Sequence, residues 1–199
     1  MENKQMKDAA SIGYRGIVTL SVLRKNKVVA KHTYHNSGLT PLFAGLCGIL
    51  TGTKNVVDVA PAFLALYSVK SVNNELSIAP TADWSIICKA TGGSYDNIDL
   101  ATPYLALDEK IFTNTSGTNP KAAFQISIPF SLITEDRIYA MALFPAAVGD
   151  SQEGRELEAL AYYKLLNDDN TWNPLYVDKS AYGYSLLIDW QMDFSNKEA

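Results

Sequence analysis

The chain has 199 residues, enough for one large domain or two small ones with a real core. Its hydrophobic share of 47% and charged share of 19% are those of a folded soluble protein. A formal net charge of −4 leaves no basic field to hold a phosphate backbone, which argues against a dedicated nucleic-acid binder.

Residues 1–11 are polar, mixed in charge and without periodicity, and read as a flexible N-terminal arm. They hold no apolar core before a small-residue cleavage site, so no secretory signal is expected and the product should stay in the cytoplasm. Nothing beyond them marks a linker, and residues 12–199 read as a single domain. The runs 13–23 (GYRGIVTLSVL) and 28–35 (VVAKHTYH) are β-rich and flank the polar turn Arg24-Lys25-Asn26-Lys27, a hairpin by composition and length. That turn is also the densest basic cluster, and reads as solvated.

The most apolar segment follows, HNSGLTPLFAGLCGILTG at residues 35–52. A membrane span needs about 20 consecutive apolar residues, and this run offers only 39–50, interrupted by Thr40, Pro41, Gly45 and Gly48. Its signals predict one short buried helix near residues 40–51: Thr40 to cap it, Pro41 in the first turn and Gly52 to close it. Leu42, Leu46 and Ile49 or Leu50 recur at helical spacing, with Phe43 and Cys47 broadening the stripe. Ala44 and Gly48, with Gly45 beside them, suggest close packing against a sheet. A second subunit seated on the stripe is the alternative.

Further β-rich runs lie at 62–69, 84–90, 104–114, 122–132, 137–144 and 157–166. Pro129 should make the 122–132 run an edge or bulged strand. Turn residues separate the runs at Asn73-Asn74, 91–94, 115–120 and 167–170, and 148–156 reads as an exposed loop. The final run is the clearest. Tyr182, Tyr184, Leu186, Ile188, Trp190, Met192 and Phe194 alternate with Gly183, Ser185, Leu187, Asp189, Gln191 and Asp193, as in a half-buried antiparallel strand. About nine strands, one helix and no βαβ rhythm predict a mainly β protein, an antiparallel β-sandwich with one short buried α-helix.

Reactive constellations are weak. His32 and His35 stand three apart on a predicted strand, so they face opposite ways and share no metal. Ser37 lies near His35 without any recognised nucleophile setting. The acid pairs Asp108/Glu109 and Glu135/Asp136 read as solvated turn residues. Asp96-Asn97-Ile98-Asp99 and Asn167-Asp168-Asp169-Asn170 lack the Gly and distal Glu of a calcium loop and read as Asx turns. Residues 91–94 (TGGS) lack the Lys and following helix of a phosphate cradle. Cys47 and Cys88 read as small buried hydrophobes in a reducing compartment. Tyr162, Tyr163 and Trp172 could stack a sugar or base, but on strand positions they should pack across the sheet. No catalytic, cofactor-binding or metal-ligating residue is nominated.

With the hairpin ending His35-Asn36-Ser37-Gly38, the Leu42-Phe43-x-x-Leu46-Cys47-x-x-Leu50-x-Gly52 helix and the Leu186-Leu187-Ile188-Asp189-Trp190-Gln191-Met192-Asp193-Phe194 strand, the chain resembles structural proteins of tailed bacteriophages. The plan is similar to small virion proteins of short-tailed phages, including the crAss-like gut phages. The resemblance implies a non-enzymatic virion subunit, assembled in the host bacterial cytoplasm, in a portal, neck or tail ring or on the capsid. Its partners would be further copies and other virion proteins such as portal or tail components, with no cofactor and no membrane. The rival expectation is a carbohydrate- or receptor-binding β-sandwich module using exposed Trp172 beside Asp168 and Asp169.

Overall fold

A computed structural model describes residues 11–36, 40–82, 97–113, 120–146, 159–180 and 182–197. The expected strand at 84–90, the turns at 91–94 and 115–120, the loop at 148–156 and Cys88 lie outside these residues. So does the expected arm, except that Ser11 already belongs to the first strand.

In chain order the elements are β1 (Ser11–Arg24), β2 (Lys27–Asn36), α1 (Thr40–Leu50), β3 (Pro61–Val69), β4 (Ser71–Val72) and β5 (Glu75–Leu76). Then come β6 (Ile98–Leu100), β7 (Leu105–Ala106), β8 (Glu109–Thr113), β9 (Lys121–Pro129) and β10 (Arg137–Ile138). The chain ends with β11 (Ala140–Pro145), β12 (Ala161–Lys164), β13 (Leu175–Tyr176) and β14 (Tyr184–Lys197). The fold is mainly β with one α-helix among the described residues. Two hairpins close on left-handed residue pairs, Lys25-Asn26 (φ 49° and 63°) and Asn73-Asn74 (φ 54° and 66°). Asn tolerates that region better than most residues, and paired left-handed residues match the twist of the flanking strands.

One sheet runs β2-β1-β14-β9-β8 and a second runs β12-β11-β3-β6, with β7 also paired to β3. Every pairing in both is antiparallel. The chain's first and last strands are neighbours, β1 and β14, in register from Ser11↔Lys197 to Arg24↔Tyr184. β14 therefore sits at the sheet centre. Its expected alternation holds from Leu186 to Met192: Leu186, Ile188, Trp190 and Met192 are buried, and Leu187, Asp189 and Gln191 are half-buried. Tyr182 precedes the strand and is 99% exposed.

A single apolar cluster takes Val18, Leu20, Ile126, Ile188 and Trp190 from the first sheet and Leu64, Leu66, Met141 and Leu143 from the second. This shared core is the packing that a sandwich reading requires. β3 and β11 are buried on both faces, because Ala65, Tyr67, Ala142 and Phe144 point the other way into a second cluster. Ile78, Ala82 and Trp172 pack over that cluster. Strands covered on both sides read as continuous apolar runs, which explains FLALYSV and AMALF in the sequence.

Three expectations are corrected. β9 is interior, not an edge, and Pro129 is its last residue, beyond the stretch 121–125 that β8 covers. The helix is not enclosed: Leu42, Gly45 and Gly48 are buried, but Leu46, Cys47 and Leu50 are exposed, Leu50 by 86%. The small residues serve the chain's own next turn and not a sheet. A Cβ on Gly45 would stand 2.2 Å from Val59 Cγ1, and one on Gly48 2.8 Å from Lys54 Cγ, while Ala44 is exposed.

Candidate interaction surface

α1 ends as its residues predict. Gly52 takes a left-handed φ of +72°, and its N–H donates to the Ile49 carbonyl. The Thr53 and Lys54 N–H groups both donate to the Gly48 carbonyl, and the Thr51 hydroxyl donates to Cys47 O. With those carbonyls satisfied, the chain reverses tightly through a 3-10 turn at Val56–Asp58, capped by Asp58 Oδ2 accepting from the Asn55 N–H at 3.0 Å. The reversal leaves a groove of about 240 Å³ between α1, that turn and one end of the first sheet. Leu42, Leu46, Val56, Phe124 and Met192 line it, and its other described lining residues are also apolar.

The groove continues to the sheet edge. Phe112 stands opposite Ala122, and Ala122 opposite Met192, so the three form one row on the face that lines the groove. Phe112 is 71% exposed. Its strand, β8, is terminal in the sheet, and all five of its residues are exposed. The opposite terminal strand, β2, is also exposed from Lys27 to Thr33, with Val28 and Val29 open to solvent. Between Val22 and Leu23 the register shifts, so Val29 has no cross-strand partner on β1.

A second depression, of about 380 Å³, is polar. Lys70 pairs with Asp99 there at 3.2 Å, beside Glu135, Asp136, Arg137 and Tyr139. The Arg137 guanidinium lies 5.2 Å from the centre of the exposed Tyr176 ring. The 96–99 segment is thus not an Asx turn alone, because residues 98–100 form β6 against β3.

The residues singled out in the sequence are dispersed. Trp172 is not an open platform: its indole N–H donates to Ile78 O at 3.0 Å, and it meets Tyr139 edge-on at 5.5 Å. Asp169 accepts from the Thr171 hydroxyl at 2.6 Å and N–H at 3.0 Å, which lowers its pKa below the usual carboxylate value. Tyr163 packs on Tyr34 of the other sheet at 5.3 Å, and burial with that neighbour pushes its phenol up to about 12. His32 is exposed on the edge strand β2, stacked on Tyr34 at 6.5 Å. Asp108 Oδ2 accepts the Ser127 N–H at 2.6 Å and so helps tie β8 to β9, while Glu109 stands in β8 opposite Gln125. Among the described residues no three His, Cys, Asp or Glu side chains converge as a metal site. Nor is any described helix long and apolar enough to cross a membrane.

The groove was half legible. Leu42 and Leu46 stood out at helical spacing, but Val56, Phe124 and Met192 come from distant segments that only the fold brings together. No protein family, curated protein sequence or solved structure matches the chain.

Proposed function

We propose that this chain is a non-enzymatic structural subunit of a tailed-phage virion, which self-associates or docks on other virion proteins in a portal, neck or tail ring. The observation that carries the reading is the apolar groove running onto Phe112 at an open sheet edge. An apolar surface of this kind marks a contact site, and an open edge is a strand-pairing template that lone proteins blunt or cover. The phage assignment itself rests on the sequence resemblance.

The test is immunogold labelling of phage particles from the source with antibody raised against the recombinant protein. Label clustered at the portal and tail is expected. Particles that contain none of the protein overturn the reading. A saccharide-binding module is the second reading, and the polar depression beside Tyr176 favours it over any site at Trp172. It predicts glycan binding that is lost on Tyr176→Ala with unfolding unchanged.

A further inference from the structure

We infer that copies of this chain join head to tail through the two ends of the first sheet, β8 of one copy pairing in parallel with β2 of the next. The inference deepens the subunit reading and rests on it. It starts from strand parity: among the described residues the sheet has five strands, and each neighbour is antiparallel, so the two strands that end it run in the same direction. A second copy related by rotation about an axis along the strands therefore presents β2 to β8 as a parallel neighbour. Repetition of one such heterologous contact closes a ring when the rotation divides a full turn.

Charge disfavours the pairing of β2 with itself. The segment 11–36 carries Arg15, Arg24, Lys25, Lys27 and Lys31 and no Asp or Glu, in a chain of net charge −4. Two copies of β2 laid against each other would juxtapose lysines, the device by which edge strands reject their own kind. β8 opens instead with Glu109, followed by Lys110, so it carries no net charge and offers Glu109 as the one acidic partner on that strand.

Face parity then narrows the register. Tyr34, Val18, Trp190, Phe124 and Lys110 form one cross-strand row, so Lys110 and Phe112 share the face of Tyr34 and His32. Glu109, Ile111 and Thr113 share the opposite face with Lys31 and Thr33. The alignment that sets Glu109 beside Lys31 of the next copy also sets Phe112 beside its Tyr34 and Ile111 beside its Thr33. It joins one opposite-charge pair to one aromatic pair and covers the exposed Phe112. Lys110 falls beside His32, a pair that contributes no attraction.

The test is a charge swap on the full chain, read as mass against concentration by light scattering, with thermal unfolding as the check on folding. Glu109→Lys alone places lysine beside Lys31, and Lys31→Glu alone places glutamate beside Glu109. Each should weaken association about tenfold per contact. Mixed one to one, the variants meet with opposite charges at every mixed contact, and should associate more strongly than either alone, reaching wild-type mass in a ring with an even number of subunits. A wild type that stays monomeric overturns the inference, as does a mixture no larger than its components. So does an association that Glu109→Lys changes and Lys31→Glu does not, since that pattern means β8 pairing with itself. Edge-dependent rings from a protein missing from phage particles would overturn the virion reading and leave this contact standing. Labelled particles whose subunit ignores both edge charges would do the reverse.

Discussion

Trp190 shows what one residue contributes at the centre of the sheet. It is fully buried between Val18 and Phe124 on the neighbouring strands, so Trp190→Ala should cost about 3–5 kcal/mol in urea unfolding. A loss below about 1 kcal/mol would mean that the core is organised around other side chains. The alternation of β14 made this residue legible, because period two leaves only one choice of buried face. Tyr163 was legible as a packing residue but not as a pH-sensitive one, since its partner Tyr34 lies 129 positions away on the other sheet. Its folded pKa of about 12 exceeds the usual phenol value of 10.0, so the neutral form is the one the fold accommodates. The stability it contributes is therefore complete below pH 10 and is lost as pH rises through about 12. Unfolding midpoints measured from pH 8 upward should fall across that window, and Tyr163→Phe should flatten the fall. An identical alkaline profile in the variant would assign the loss to other groups.

Among the elements, α1 separates what stabilises the fold from what the fold leaves available. Leu42 belongs to the core, and Leu42→Ala should cost about 2–5 kcal/mol, whereas Leu50→Gln should change unfolding by no more than about 0.5 kcal/mol. Leu46→Gln, at the exposed helix residue that lines the groove, should weaken whatever contact covers it, measured as a loss of oligomer or partner binding. Gly45→Ala tests the turn behind the helix. Helix propensity alone favours Ala by about 1 kcal/mol, but the new methyl would meet Val59 Cγ1 at 2.2 Å. A net destabilisation of about 1–3 kcal/mol is expected in the same urea assay, and a stabilised variant would show that Val59 yields freely. The helix itself, its Gly52 terminus and the Lys25-Asn26 hairpin were legible because their signals are local. The short pairs were not. β4 and β5 are two residues each, too short for a period to register, and β6 lay hidden in a segment whose Asp and Asn residues imitate a turn. The exposed side of α1 was illegible for a related reason: an apolar stripe reads alike whether it meets the chain's own core or a partner.

At the scale of the whole molecule, the mainly β class followed from residue patterns, but the order of strands did not. Antiparallel alternation says which face of a strand is buried and nothing about which strand lies beside it. The β1–β14 pairing joins the two ends of the described chain, and both strands supply side chains to the core that the two sheets share. Topology also decides what the sheet edges are. An even number of antiparallel strands would have placed oppositely directed strands at the two ends; five gives edges that run alike and can meet head to tail. The pairing proposed between them is partly electrostatic and exposed, so raising salt from 0.05 M to 0.5 M should loosen the assembly while leaving the fold intact. The most direct measurement is the absolute mass of the untagged protein across a wide concentration range by light scattering, alone and with lysate of its source. The structural-subunit account predicts a defined high-order species whose share rises with concentration or with a virion partner. A monomer of 21.8 kDa at every concentration, unchanged by the lysate, would contradict it.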